Sequence, residues 1–160
     1  MKITLEDHSD EVLEALESAC QRALEKCGLV GEGYAKKLCP VGTGNLRNSI
    51  THMVNDGEKA AYVGTNSEYA TYVEMGTGVY GPAHTSGYWV YVVGGTSNKS
   101  KHPGKRYTFE EAKRIVAILR KKGLDAHMTD GRKAIPFIKP AVANHAEQYQ
   151  KIIKRELKND

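Results

Sequence analysis

The sequence is poor in the residues that mark metal proteins and disulfide-stabilised proteins. It has three cysteines, an odd number, among its 160 residues. Cys20 and Cys27 would lie two turns apart on a helix, which is too far for a disulfide. Because no fourth ligand stands at a suitable spacing, the pattern does not indicate a zinc site. Three unpaired thiols are typical of a protein made in a reducing cytoplasm.

Long apolar segments are lacking as well. The longest apolar run is too short to cross a bilayer. Residues 1–5 lead directly into acidic residues, without the apolar core or cleavage site of a secretory leader. We therefore expect no membrane partner.

Charge of one sign is not in large excess. The formal net charge is +4, and 26% of the residues are charged while 40% are hydrophobic. This is the composition of an ordinary globular protein, and so mild a positive charge gives no selective argument for nucleic acid. The length suits one domain, so we expect residues 1–160 to form a single domain.

Motifs for catalysis are absent too. Residues 42–47 read Gly-Thr-Gly-Asn-Leu-Arg and begin like a dinucleotide-binding fingerprint. Arg47 stands where the third glycine belongs, and the run precedes a predicted strand and not a helix, so we interpret it as a turn. The six histidines are scattered without a metal-binding pattern, and no serine has a strand–elbow–helix setting. We expect no enzyme activity, no cofactor and no metal.

What the chain does have is a strong helical pattern near its start. Apolar residues recur at steps of three and four from Val12 to Leu38, which predicts a long helix with one apolar face. Ser9 or Asp10 is expected to cap its start, and Pro40 to end it. Three glycines are expected to weaken its middle and to kink or interrupt it: Gly28, Gly31 and Gly33.

A hairpin and a short helix are predicted next. Leu46–Val54 and Ala60–Val63 have the pattern of strands, and Asn55–Glu58 has the chemistry of the turn between them. The tyrosines of Glu68–Glu74 fall at helical spacing, and Gly76 is expected to stop that helix.

Residues 79–133 differ in character and are predicted to form a strand–helix–strand insertion. Gly87–Gly94 is the first strand, Thr108 has capping-box spacing at the start of the helix, and Leu124–Met128 is the second strand. One helix that begins near Pro136 or Pro140 closes the chain. The predicted fold class is α+β, with the long N-terminal helix and the C-terminal helix packed on a mainly antiparallel sheet.

Glu74 leaves two interpretations open. It follows an apolar pair and precedes a turn, so it is either a partly buried carboxylate paired with Arg47 or an ordinary solvated one. Pairing predicts that Arg47→Ala and Glu74→Ala are strongly non-additive in thermal unfolding, and simple additivity would exclude it.

The tyrosines also allow two interpretations, a protein interface or a tyrosine-rich sheet core. Nine tyrosines are present in the chain. The ones that cluster near Trp89 are Tyr62, Tyr69, Tyr72, Tyr80, Tyr88 and Tyr91.

Three phrases, taken in order, resemble one protein family. Residues 40–50 read Pro-Val-Gly-Thr-Gly-Asn-Leu-Arg-Asn-Ser-Ile, residues 72–78 read Tyr-Val-Glu-Met-Gly-Thr-Gly, and residues 136–141 read Pro-Phe-Ile-Lys-Pro-Ala. They are similar to the phrases of the head–tail joining or tail-completion family of tailed bacteriophages and prophages, named for gene product ten of the lambdoid phage HK97. The resemblance covers about residues 1–78 and 134–160, whereas residues 79–133 depart from the short connection usual in the family.

The resemblance implies a structural virion protein without a substrate, made in the host cytoplasm. Its partners would be neighbouring neck, connector and tail-tube proteins, with a ring of copies in the virion, a monomer before assembly, and DNA contact at most through the channel lumen. The signature residues for structure and interaction would be Thr43, Gly44, Leu46, Arg47, Tyr69, Tyr72, Glu74, Gly76, Gly78, Pro136 and Phe137.

The alternative interpretation is a nucleic-acid-binding α+β protein. Trp89 and Tyr91 would supply stacking faces for bases. The cations would come from the basic loop 99–106, through Lys99, Lys101, Lys105 and Arg106.

Overall fold

The computed structural model describes residues 7–94 and 104–158, and the chain divides into two compact units. The first is drawn from Met1–Ser67 and Pro136–Asp160, and the second from Glu68–Ile135. The prediction of one domain with an insertion at 79–133 stays a prediction, and the second unit reaches further toward the N terminus than that insertion.

The described residues confirm the α+β class, with helices and two antiparallel pairs of strands. In chain order the elements are α1 (Ser9–Leu38), α2 (Asn45–Asn48), β1 (Ile50–Asn55), β2 (Ala60–Thr65), α3 (Ala70–Met75), a 3-10 turn (Gly78–Tyr80), β3 (Trp89–Val92), α4 (Phe109–Lys121), β4 (Ala126–Thr129), α5 (Ile138–Ala143) and α6 (Ala146–Glu156). Within these residues, no helix is both long enough and apolar enough to cross a membrane.

In the first unit, α1 packs against β1, β2, α5 and α6. Its buried residues are all alanine or glycine: Ala19, Ala23, Gly28, Gly31 and Ala35. An ideal Cβ on Gly28 would lie 2.6 Å from Cδ2 of His52, and one on Gly31 would lie 3.0 Å from Cγ2 of Val63. The predicted interruption is wrong, because α1 runs unbroken from Ser9 to Leu38. Gly28 and Gly31 instead let the hairpin approach the backbone of α1 closely.

The start of α1 differs from the predicted cap. The helix begins at Ser9 itself, and the residue before it, His8, makes no capping hydrogen bond with its side chain. The carboxylate of Asp7 instead accepts a hydrogen bond from the Ser9 amide at 3.0 Å. The predicted end is confirmed, since α1 stops at Leu38, two residues before Pro40.

The hairpin is confirmed, with β1 and β2 antiparallel and Asn55 paired with Ala60 at the turn end. The predicted start at Leu46 is wrong, because Asn45–Asn48 forms the helical turn α2. Gly44, with φ of 87°, starts this turn, and the Ser49 hydroxyl donates to the Leu46 carbonyl at 2.8 Å. The turn carries Leu46 into the core, where its side chain is 4% exposed.

The predicted C-terminal helix is in fact two helices, α5 and α6, separated at Asn144 and His145. Two side chains bind the Ala141 carbonyl, which a continuous helix would pair with the amide of residue 145. The His145 ring lies 3.0 Å from this oxygen, and the Tyr149 hydroxyl donates to it at 2.8 Å. Competition from these side chains accounts for the break.

A polar cluster fixes β1 on α1. Nδ1 of His52 lies 2.5 Å from the Glu32 carboxylate, and its Nε2 lies 3.1 Å from that of Glu25. The His52 amide also donates to Glu32 at 3.1 Å, and Lys36 pairs with the other Glu32 oxygen at 2.5 Å. The side chains of His52 and Glu32 are only 14% and 17% exposed. Hydrogen bonds to carboxylates therefore hold the His52 ring in the narrow space beside Gly28.

In the second unit, α4 packs on the β3–β4 pair. The predicted capping box at Thr108 is confirmed, because its hydroxyl accepts from the Glu111 amide while the Glu111 carboxylate accepts from the Thr108 amide. Ala112, Val116 and Ala126 form the buried contact between α4 and β4. The short helix at Glu68–Glu74 is confirmed as α3, which ends at Gly76. Most of the predicted loop between Gly94 and Lys105 lies outside the described residues.

We expect Gly28→Ala to destabilise the protein by about 1–3 kcal/mol, because the added methyl would overlap the ring of His52, which two glutamates hold in place. Gly33→Ala is the matched control, since a Cβ there meets nothing within 4 Å. It should be neutral or stabilise by up to about 1 kcal/mol through helix propensity. Denaturant unfolding of both variants checks this, and equal effects would contradict the close-approach explanation.

The His52 cluster makes stability depend on pH. The hydrogen bond to Glu32 raises the pKa of His52, and the hydrogen bonds from Lys36 and His52 lower the pKa of Glu32. The His52 contribution is full below the unfolded pKa of about 6.5 and is lost as pH rises through the folded pKa, while that of Glu32 is lost as pH falls below about 4.3. The cluster therefore stabilises the fold most between these two values.

We expect His52→Gln to lower the free energy of unfolding by about 1–3 kcal/mol near pH 5.5, and by less at pH 8.5. Denaturant unfolding at the two pH values measures the difference. The control is His127→Gln, because His127 pairs with the exposed carboxylate of Asp125. That change should cost less than about 1 kcal/mol. A His52→Gln effect that grows with pH would contradict the assignment.

Candidate docking surface

The phrase Gly76-Thr77-Gly78 forms a corner that pairs with the segment following β4. The Thr77 amide donates to the Arg132 carbonyl at 2.9 Å, and the Val79 amide donates to the Asp130 carbonyl at 3.1 Å. The Arg132 amide in turn donates to the Thr77 hydroxyl at 3.0 Å. We call this paired segment the Gly-Thr-Gly corner. It joins two parts of the second unit that are more than fifty residues apart in sequence.

The corner requires glycine on both of its segments. An ideal Cβ on Gly78 would lie 1.9 Å from the Asp130 carbonyl oxygen, and one on Gly131 would lie 2.1 Å from the Thr77 carbonyl oxygen. Both contacts are with backbone atoms, which cannot move away by bond rotation as the end of a side chain can. Gly78 also has φ of 65°, a conformation that costs other residues about 1–2 kcal/mol.

An open groove of about 580 Å³ lies along the corner, within the second unit. Tyr72 and Met75 of α3 form one wall, and their side chains are 61% and 52% exposed. The other main lining side chains are Pro82, Trp89, Arg106 and Arg132. A largely apolar groove with aromatic residues and a few arginines has the composition of a protein-binding surface.

Arg106 covers one face of the aromatic lining. Its guanidinium carbon lies 3.4 Å from the centroid of the Trp89 ring, and its Nη1 donates to the carbonyls of Thr85 and Gly87 at 3.2 Å each. The Tyr91 ring stacks on His127 with 5.6 Å between centroids. One face of the Trp89 ring and one face of the Tyr91 ring are therefore already covered by another side chain. This disfavours the interpretation that these rings stack on nucleic-acid bases. Lys99 and Lys101 lie outside the described residues.

The signature residues fall into both units. Thr43, Gly44, Leu46 and Arg47 form the start of the α2 turn in the first unit, where Leu46 is buried and Arg47 exposed. Pro136 and Phe137 precede α5 in the same unit, with Phe137 fully buried. These residues therefore include two that build its core.

In the second unit, Tyr69, Tyr72 and Glu74 lie on or beside α3, and Gly76 and Gly78 form the corner. Tyr69 and Tyr72 are exposed, whereas Glu74 is half-buried. The structure thus brings Tyr72, Gly76 and Gly78 together along the groove. The pairing of Arg47 with Glu74 stays a prediction.

The second half of the corner, Asp130-Gly131-Arg132, was not identified from the sequence. The Asp-Gly pair is typical of a turn, and it was the feature of the sequence that could have indicated a turn here. Its partner could not be inferred, because the pairing spans more than fifty residues and no periodicity marks it. Pro82 carried no signal of its own.

The tyrosine cluster is mainly on the surface. Tyr62, Tyr69, Tyr72, Tyr80 and Tyr91 are between 43% and 61% exposed. The sheet-core interpretation is wrong for these five residues. Amphipathic rings with this exposure are typical of residues that become buried at a protein interface.

The described side chains include no group of three or more His, Cys, Asp or Glu residues that could hold a metal ion. The three cysteines are free thiols, and Cys39 is buried. Burial raises the pKa of Cys27 and of Cys39, which favours the neutral thiol.

Fold and groove together define an α+β protein whose most developed surface feature suits contact with another protein. The model of the HK97-gp10-like family, whose description reads "Bacteriophage HK97-gp10, putative tail-component", matches residues 3–76. This match confirms the resemblance drawn from the sequence. The match supports a structural phage protein. No curated protein and no solved structure is significantly similar to the chain.

We expect Gly78→Ala to destabilise the second unit by about 3 kcal/mol or more, because the methyl group would overlap backbone in addition to straining φ. Gly123→Ala is the matched control, since Gly123 has φ of 77° but a Cβ there meets nothing within 4 Å. It should cost only about 1–2 kcal/mol. Thermal unfolding and amide exchange in residues 68–135 measure both, and similar losses would contradict the pairing argument.

Proposed function

We propose that the protein is a structural virion component of the head–tail connector or tail-completion region, acting through protein–protein assembly without catalysis. The family match over residues 3–76 carries this proposal, because the matched family is one of phage tail components. The matched range includes all of α1, the hairpin and α3, and so reaches the start of the Gly-Thr-Gly corner.

The distribution of apolar residues supports an assembly role. Among the exposed large apolar side chains are neighbouring ones at the start of α1 (Val12, Leu13 and Leu16), on the hairpin (Met53 and Tyr62), and along the groove (Tyr72 and Met75). Scattered exposed apolar residues are normal, but grouped ones mark contact surfaces. A protein with several such groups is suited to touching more than one neighbour, as a joining protein in a virion does.

We place the protein in the virion after synthesis in the host cytoplasm, with neighbouring neck, connector and tail-tube proteins as its partners. A ring of copies fits this position, and it requires interfaces that differ on the two sides of each copy. Contact with DNA would be limited to the lumen of the channel.

Deletion of the gene from the phage or prophage that encodes it tests the role. We expect filled heads and tails left unjoined, or tails of irregular length, in electron micrographs of the lysate. Wild-type protein supplied from a plasmid should restore infectious particles. Normal virions from the deletion would contradict the proposal.

Nucleic-acid binding is the runner-up, and salt dependence separates it from assembly. A protein that binds DNA through its cations loses affinity steeply as salt rises, because bound counterions are released. We expect no such binding, since the guanidinium of Arg106 covers one face of the Trp89 ring on which a base would stack. Fluorescence anisotropy with labelled single- and double-stranded DNA at two salt concentrations measures it, and tight, salt-sensitive binding would favour the runner-up.

A further inference from the structure

The first turns of α1 extend beyond the hairpin and carry an exposed apolar stripe. The hairpin turn meets α1 at Glu17 and Gln21, through contacts with Lys59 and Asp56. Every residue from Asp7 to Leu16 is exposed, and we call Ser9–Leu16 the α1 overhang. Eight residues span about 12 Å of helix.

The apolar stripe of the overhang continues the face that α1 buries further along. Val12 and Leu16 precede Ala19 and Ala23 at steps of three and four residues, and so lie on the same side of the helix. Yet Val12, Leu13 and Leu16 are 64%, 58% and 49% exposed, whereas Ala19 and Ala23 are almost fully buried. The face that packs elsewhere in the helix has large side chains here, and none of residues 7–94 or 104–158 covers them.

The overhang is also strongly acidic. Residues 9–16 include Asp10, Glu11 and Glu14 and contain no lysine or arginine. A helix with an apolar stripe and acidic flanks requires a partner surface with an apolar floor and a cationic rim.

The groove beside the Gly-Thr-Gly corner has this complementary character. Its lining includes the apolar and aromatic side chains of Tyr72, Met75 and Trp89 together with Arg106 and Arg132. Arg132 is exposed, and Arg106 uses only Nη1 in its hydrogen bonds to the Thr85 and Gly87 carbonyls, so its guanidinium has further N–H donors. Its open form and apolar wall match the helix-in-groove mode of recognition, in which residues at i and i+4 anchor the helix.

We infer that the α1 overhang of one copy docks in the groove of a second copy of this chain, with Val12 and Leu16 against Tyr72, Met75 and Trp89 and the acidic flanks against Arg106 and Arg132. The inference rests on the assembly role proposed above and names the contact that joins like copies. Because the two surfaces are different parts of the chain, the contact is head-to-tail, and a docked pair of copies keeps one free overhang and one free groove. Repetition of this contact closes a ring or extends a filament.

Two full-length variants test the contact by complementation. The overhang variant is Val12→Glu with Leu16→Glu, and the groove variant is Tyr72→Glu with Met75→Glu. All four positions are at least 49% exposed, so both proteins should fold, which circular dichroism and thermal unfolding verify. Met53→Glu is the matched control, since Met53 is 64% exposed but belongs to neither surface.

We expect the wild type and the Met53→Glu control to self-associate in sedimentation experiments up to about 0.5 mM, with weaker association at high salt. Each variant alone should be monomeric, with association reduced at least tenfold. An equimolar mixture should stop at a two-copy complex, because only one overhang and one groove remain intact. Trp89 is the single tryptophan of the chain, so its emission should shift to shorter wavelength in the mixture and in neither variant alone.

A monomeric wild type over this range, self-association of either variant alone, or a mixture that remains monomeric would each overturn the inference. So would a groove that binds a neighbouring tail protein in place of a second copy. These results are separate from a failure of the proposed function, since a monomeric protein whose deletion still leaves heads and tails unjoined would keep the function and lose this contact.

Discussion

The close approach of α1 to the hairpin is the constraint on which the first unit depends. Gly28 and Gly31 remove the side chains that would hold the two elements apart, and the ring of His52 enters the space at Gly28. From there Glu25 and Glu32 of α1 hold the ring, which fixes β1 along the helix. The same stripe admits Tyr149 at Gly31, whose hydroxyl binds the Ala141 carbonyl and so sets the bend between α5 and α6. One run of small residues thus positions three other elements.

The second unit solves a similar problem at the Gly-Thr-Gly corner, where two backbones lie too close for any side chain. Using small residues for internal contacts has a consequence for the surface. The buried residues of α1 are alanines and glycines, while Val12, Leu16 and Leu29 of the same helix are exposed. Burying large apolar side chains is the main source of stability for an isolated chain. A chain that leaves many of them outside gains that stabilisation only when a partner covers them.

Local patterns in the sequence were sufficient for the elements whose causes are local. The apolar repeat predicted α1, the turn residues at Asn55–Glu58 predicted the hairpin, and Thr108 with Glu111 predicted the start of α4. The errors have non-local causes. Whether Gly28 kinks a helix or admits a neighbour depends on where His52 lies, and the break at Asn144 depends on side chains that compete for one carbonyl. The groove was beyond sequence reasoning because its walls come together only through the pairing of Gly78 with Gly131.

The pairing at the corner also bears on residues 79–133, which lie beyond the family match. The family match ends at residue 76, within the phrase that the corner completes. In this chain, Thr77 and Val79 obtain their hydrogen-bond partners from Arg132 and Asp130, near the end of residues 79–133, which the family match does not reach. Buried backbone groups at such a corner require partners, so the corner cannot keep this geometry if the middle region is removed. Residues 79–133 are therefore part of the structure around the family phrase. Two of them, Trp89 and Arg106, add apolar surface and positive charge to the groove, and an acidic amphipathic helix would need both.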